Sequence, residues 1–91
     1  MEDYAQQMLE LYRNNKDFDK ATALLEKTLI SDPNAPTILF IEAKLKFDQG
    51  DKDGAKQMLN KTLNIWSEAD DNYQFYMEAK SFGKEKLGLA L

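Results

Sequence analysis

The sequence predicts an all-α protein whose helices stack as repeated antiparallel pairs, and two observations support this. First, the segments Asp17–Pro33 and Asp51–Ser67 are related by an offset of 34 residues and are identical at seven of 17 positions. Second, apolar residues between the turns recur at three- and four-residue steps, which is the period of a helix with one buried stripe. A repeat of this length is typical of a solenoid, in which each helical pair buries its apolar face against the next pair. The identical pairs are Asp17/Asp51, Asp19/Asp53, Ala21/Ala55, Leu25/Leu59, Lys27/Lys61, Thr28/Thr62 and Leu29/Leu63.

Four of the predicted helices form two successive pairs. The first pair consists of Asp3–Asn14 and a helix from Asp17 to about Ile30. The second pair consists of Thr37–Gln49, which is apolar over more than half of its circumference, and a helix from Asp51 to about Trp66. The third helix is therefore expected to bury more than one face.

Turn chemistry separates these helices. Asn14 and Asn15 tolerate the left-handed conformation that closes many helices, and Asp17 is a typical N-cap residue. The segment Ser31–Pro36 contains two prolines and cannot continue a helix. Gly50 fits a helix end that needs a positive φ angle.

A fifth helix is predicted to follow, with an apolar set between Tyr73 and Phe82. A strict step of 34 residues would place Met77 at the close-packed position held by Ala43, whereas a step of 36 places Ala79 there. The second alignment avoids crowding at the helix crossing and implies a two-residue insertion around Ser67–Asn72. The residues after Gly83 can either extend this helix or begin a sixth.

Composition excludes several classes of function. The chain has no cysteine and no histidine, so disulfides, thiol nucleophiles, imidazole bases and ordinary zinc or copper sites are not expected. Its net charge is −4 and Arg13 is the only arginine, so we expect no nucleic-acid partner. We also expect no membrane span and no signal peptide, hence a cytoplasmic protein, and no catalytic residues, metal or cofactor.

The two units resemble a tetratricopeptide repeat. The resemblance rests on small and apolar positions of the second helix of each pair, namely Ala21, Leu25, Thr28 and Pro33 in the first copy and Ala55, Leu59, Thr62 and Ser67 in the second. Gly50-Asp51 is the turn dipeptide of such repeats. Glu42 and Lys46 stand where apolar residues are usual, and Ser67 replaces the usual proline. The resemblance implies one domain, 1–91, made of repeat one at about 2–35, repeat two at about 36–69, and a capping helix or partial third repeat at about 70–91.

The resemblance also implies a partner-binding groove on the concave face, lined by the first helix of each repeat. The positions that face it are Gln6, Glu10, Arg13, Phe40, Ile41, Lys44, Phe47, Tyr73, Tyr76, Met77 and Lys80, with Asp3, Gln7 and Thr37 beside them. Aromatic and apolar side chains at its centre favour an apolar segment of a protein partner, with basic residues meeting Glu10 and Asp3. The alternative is that Phe40, Ile41, Phe47 and the tyrosines only pack the fifth helix, the tail or a second subunit.

Similar proteins often grip the terminal carboxylate of a chaperone tail with basic and amide residues. The corresponding positions here are Gln6, Glu10, Ile41, Tyr73 and Met77, which would leave a carboxylate unpaired or repelled. We therefore expect no such clamp. The sequence predicts an adaptor or co-chaperone-like interaction module, and the alternative is an assembly element, either part of a longer array or a self-associating domain.

Overall fold

Five helices account for most of the chain in its computed structural model, which describes residues 2–33, 35–66 and 74–90. They are α1 (Glu2–Asn14), α2 (Phe18–Ser31), α3 (Pro36–Asp48), α4 (Lys52–Ile65) and α5 (Gln74–Leu87). The described ranges contain no β-strand, so the predicted all-α class is confirmed. None of these helices is long and apolar enough to span a bilayer.

The turns α1–α2 and α3–α4 have the same closing geometry. The backbone N–H of Asp17 donates to the carbonyl of Tyr12, and that of Asp51 donates to the carbonyl of Lys46, both at 2.8 Å. The residue before each aspartate is left-handed, with φ of 59° at Lys16 and 87° at Gly50. This is the usual way to satisfy the last carbonyls of a helix. The left-handed residue of the first turn is therefore Lys16, and the expectation that an asparagine would take this role was wrong.

The two equivalent aspartates cap their helices differently. The Asp51 carboxylate accepts a hydrogen bond from the backbone N–H of Gly54 at 2.9 Å. A Cβ on residue 54 would collide with that carboxylate, and the equivalent residue in the first repeat, Lys20, carries one. Asp17 makes no side-chain cap hydrogen bond and instead pairs with the Lys20 ammonium at 3.5 Å. Asp17 thus occupies the predicted N-cap position of α2, but its carboxylate does not cap the helix.

Two buried clusters form the core, and α3 contributes to both. The first cluster joins repeat one to α3 and contains Leu9, Ala21, Leu25, Ile38, Ile41 and Leu45. The second joins α3 and α4 to α5 and contains Phe40, Ala43, Ala55, Leu59, Trp66, Ala79 and Leu87. Burial on both sides explains why the α3 sequence is apolar around most of its circumference.

Helix α5 packs with the register of the 36-residue step. Ala79 is fully buried in the same cluster as Ala43, whereas Met77 is 50% exposed. The proposed insertion at Ser67–Asn72 lies outside the described residues. The tail extends the helix through Gly83 to Leu87, which is buried.

Trp66 closes the second cluster at the end of α4. It is 6% exposed, meets the Phe40 ring edge-on at 6.5 Å and stacks on the Phe75 ring at 6.5 Å. Trp66 is therefore a core residue.

Candidate partner-binding groove

Helices α1, α3 and α5 line a continuous depression on one side of the array. A cavity of about 200 Å³ lies where the three helices meet and is lined by Gln6, Glu10, Thr37, Phe40, Ile41, Lys44, Phe75 and Glu78. A cavity of about 430 Å³ lies between α3 and α5 and is lined by Phe40, Lys44, Gln74, Met77, Glu78, Ser81, Phe82, Glu85 and Lys86. Phe40, Lys44 and Glu78 line both cavities, so we treat the two as one groove.

The floor of the groove is part of the core. Phe40 and Ile41 are only 4% and 2% exposed. The Phe40 and Phe47 rings meet the Phe82 ring edge-on, at 5.8 and 5.6 Å between ring centres. These contacts hold α5 on α3. Phe40 and Ile41 therefore do not offer the exposed apolar surface expected from the sequence, because each is needed to pack a neighbouring helix.

Met77 provides the exposed apolar side chain of the groove. It lines the larger cavity, and half of its surface is accessible. Methionine is flexible and polarizable, so it adapts to differently shaped apolar ligands. Among the predicted site residues, Met77 therefore fits a contact with an apolar side chain best.

The α1 wall of the groove is already neutralised by ion pairs. The Lys44 ammonium lies 2.9 Å from the Glu10 carboxylate and 4.6 Å from the centre of the Phe40 ring. Arg13 lies 3.6 Å from Glu10 and forms a shorter pair with Asp48 at 2.7 Å. Glu10 is thus occupied by cations of its own chain. The expectation that Glu10 meets basic residues of a partner stays a prediction, and the side chain of Asp3 lies outside the described residues.

Two carboxylates on α5, Glu78 and Glu85, line the groove and were not among the groove positions expected from the sequence. Glu78 accepts a hydrogen bond from the Gln74 side chain at 3.2 Å, and Glu85 lies two helical turns further along. That spacing corresponds to about 10 Å along the helix axis. Within the described part of the chain, neither carboxylate is within ion-pair distance of a lysine or arginine. The sequence could have indicated these carboxylates, because they share one stripe of the helix with Met77. The stripe follows helical spacing through Gln74, Glu78, Ser81 and Glu85.

The comparison with protein families agrees with this architecture. Residues 12–74 match the family described as Tetratricopeptide repeat. The chain belongs to the tetratricopeptide repeat family. The comparisons with curated proteins and with solved structures gave no match. Tetratricopeptide repeats generally mediate protein–protein interaction and are typically not enzymes.

Four predicted groove residues of this tetratricopeptide repeat chain, Arg13, Phe47, Tyr76 and Lys80, do not line the two cavities. Arg13 bridges α1 to the end of α3, and Phe47 packs on Phe82. Tyr76 is half-buried, with the Lys80 ammonium 5.2 Å from its ring centre. Tyr73 lies outside the described residues. The structure thus brings Gln6, Glu10, Phe40, Ile41, Lys44 and Met77 together along the groove.

Three of the positions compared above with a carboxylate clamp have described surroundings in this tetratricopeptide repeat chain. Glu10 is an acid engaged by Lys44, Ile41 is buried in the core, and Met77 is apolar. The absence of a carboxylate clamp at these positions stays a prediction.

Proposed function

We propose that the chain is an adaptor-type interaction module that binds a peptide or helical segment of a partner protein in the groove between α3 and α5. The supporting observation is the open cavity of about 430 Å³, which combines the exposed Met77 with an aromatic floor. Apolar surface rimmed by charged residues is typical of a site that binds another chain. No catalytic step is part of this proposal.

The lining of the cavity defines the chemistry of the partner segment. One large apolar side chain of the partner would contact Met77. Burying such a side chain contributes about 1.5–3 kcal/mol, which alone gives weak binding. Lysine or arginine residues on either side of it would meet Glu78 and Glu85. Ion pairs at an exposed rim contribute about 1 kcal/mol or less, so these carboxylates would act mainly on specificity and association rate.

A panel of synthetic peptides tests this proposal. Each peptide carries one leucine or phenylalanine, flanked by lysines in one set and by glutamates at the same positions in a matched set. We expect calorimetry to show binding of the lysine set and little or no binding of the glutamate set. Equal binding of both sets, or binding of neither, would contradict the proposed partner chemistry.

Variants of two equally exposed residues locate the site. Met77 in the groove and Leu11 on α1 are both 50% exposed, so replacing either by glutamate should disturb the fold to a similar, small extent. Met77→Glu should weaken binding of the lysine-flanked peptides about tenfold or more, as expected for loss of a central apolar contact. Leu11→Glu should leave binding unchanged. If the two variants weaken binding equally, the groove is not the site.

Charge reversal tests the two carboxylates separately. The double variant Glu78→Lys and Glu85→Lys should reduce binding of the lysine-flanked set and increase binding of the glutamate-flanked set. A peptide that ends in a free C-terminal aspartate should not bind the wild-type chain. Micromolar binding of that peptide would refute the absence of a carboxylate clamp.

A further inference from the structure

Equivalent stripes of α1 and α3 differ in what covers them. Ile38, Ile41 and Leu45 on α3 are 4%, 2% and 3% exposed and pack in the cluster formed with Leu9, Ala21 and Leu25 of repeat one. The residues 34 positions earlier are Tyr4, Gln7 and Leu11. Tyr4 is 70% exposed, Leu11 is 50% exposed, and Gln7 is also exposed. Helix α1 thus presents to solvent the stripe through which α3 stacks on the preceding pair of helices.

Beside this stripe, α1 and α2 form a surface with a projecting ring and two hollows. We call this surface the end face and define it by Tyr4, Met8, Tyr12, Ala23, Leu24 and Lys27. One hollow, of about 310 Å³, lies between α1 and α2, and a second, of about 370 Å³, extends toward the start of α3. Tyr4, Leu24 and Lys27 line both hollows. The exposed Tyr4 ring therefore stands between two largely apolar depressions.

A projecting ring and two hollows on one surface allow a symmetric contact between identical chains. In a two-fold interface the same patch is used by both subunits, so Tyr4 of each copy can enter a hollow of the other. Tyrosine suits this role because it buries a large area at a low cost in side-chain entropy.

The charges at the rim of the end face permit such a contact. Lys20 is paired with Asp17, whereas Lys27 makes no ion pair with any described residue and lines the same hollow as Asp32. Each copy thus offers a cation and a carboxylate at the edge of the patch. A two-fold contact can place them opposite each other without bringing together two surfaces of a single sign.

We propose that the end face binds a second copy of this chain as a two-fold dimer. Two helices of 13 and 14 residues, each about 20 Å long, form a patch smaller than the roughly 800 Å² per partner of a stable interface. The dimer is therefore weak and reversible and forms at high protein concentration. This contact uses residues outside the groove and does not depend on what the groove binds.

Sedimentation equilibrium of the full chain, from low micromolar to millimolar concentration, tests the dimer. The wild-type mass should rise toward twice the monomer mass of 10.5 kDa. Tyr4→Glu should raise the dissociation constant about tenfold or more, because the introduced charge occurs twice in each symmetric contact. Ala23→Glu, at an exposed helical position, should have the same effect and serves as a second variant if Tyr4→Glu shortens α1.

Met77→Glu is the matched control, since it introduces the same charge in the groove, outside the end face, and should leave the dimer intact. A wild-type chain that stays monomeric at millimolar concentration would overturn the proposal. So would association that persists in both end-face variants or that is lost in Met77→Glu. Growth beyond a dimer would indicate a head-to-tail contact in place of the two-fold one and would also overturn it.

Discussion

Helices α1 and α3 hold equivalent places in the two repeats, but they differ in how much of their surface is covered. Helix α3 lies between two clusters and buries six apolar residues, whereas Leu9 is the buried residue among the described side chains of α1. The second helices of the two pairs differ much less, because Ala21 and Leu25 are buried just as Ala55 and Leu59 are. Identity between the repeats therefore marks the scaffold within each pair. Differences between α1, α3 and α5 determine which surfaces remain available to another chain.

The largest expected effect comes from truncating the equivalent leucines of α3 and α1. Leu45→Ala should lower the free energy of unfolding by about 2–5 kcal/mol, because Leu45 is buried between the repeats. Leu11→Ala should lower it by about 1 kcal/mol or less. Urea unfolding followed by circular dichroism measures both values.

If Leu45→Ala does not fold, Ile41→Val at the neighbouring buried position serves instead, with an expected loss of about 0.5–1.5 kcal/mol. Equal losses of unfolding free energy at the α1 and α3 positions would mean that both stripes are buried to the same extent. That result would contradict the difference in burial between the two helices.

The register of α5 gives a second comparison, between the buried Ala79 and the exposed Met77. Ala79→Met should destabilise the chain by about 1–3 kcal/mol, because Ala79 is fully buried beside Ala43 and the added atoms have no room. Met77→Ala should change stability little, since Met77 is half exposed. The reverse ranking in urea unfolding would restore the 34-residue step and place Met77 in the core.

A third difference between the repeats is that Glu42 stands where repeat one has Met8. Burial raises the pKa of Glu42 above 4.5, although Lys46 and Lys61 nearby act to lower it. The carboxyl proton of Glu42 is therefore bound more tightly in the folded chain than in the unfolded chain. Stability falls as pH rises from 4.5 through the folded-state pKa, and the loss persists at higher pH.

Glu42→Met should remove this penalty. The variant should be more stable than the wild type at pH 7, and the difference should shrink as the pH falls below 4.5. Urea midpoints on both sides of that window measure the effect, with Glu42→Gln as the control for size. A variant that is less stable at pH 7 and has an unchanged pH dependence would show that the lysines outweigh burial.

The smallest effect concerns the ion pair that ties α1 to the end of α3. Arg13 and Asp48 are both partly exposed, so their coupling energy should be about 0.2–1 kcal/mol and should decrease with added salt. A double-mutant cycle with Arg13→Ala and Asp48→Ala gives this energy directly. A coupling that is larger and independent of salt would show that the pair is effectively buried.

The fold was predictable because the residues that specify it are local or repeated. Helical spacing, the two prolines and Gly50 define the helices, and the 34-residue offset defines their pairing. The crowding argument for Ala79 also anticipated the position of α5 on α3. Lys16 was missed in the first turn because a lysine has no preference for positive φ, and the Schellman hydrogen bond to Tyr12 places it there.

The site was less predictable because it depends on which partner each side chain finds in three dimensions. The groove hypothesis required accessible Phe40 and Ile41 side chains, whereas the alternative had them pack the fifth helix, the tail or a second subunit. Helix α5 covers Phe40, and repeat one covers Ile41. Glu10 was expected to meet basic residues of a partner, and Lys44, at the equivalent place in the next repeat, already pairs with it. The residues next to each side chain in the sequence do not indicate these long-range contacts.

The central claim is that the groove is the partner-binding surface. Methyl NMR of the chain labelled at methionine tests it most directly, because the methionines lie in different parts of the molecule. Met77 lines the groove, Met8 belongs to the end face, and Met58 packs against the second core cluster. Titration with a lysine-flanked apolar peptide at low protein concentration should shift the Met77 signal and leave those of Met8 and Met58 in place. A shift confined to Met8, or no shift at Met77 while the peptide binds, would contradict the assignment of the groove as the partner-binding surface.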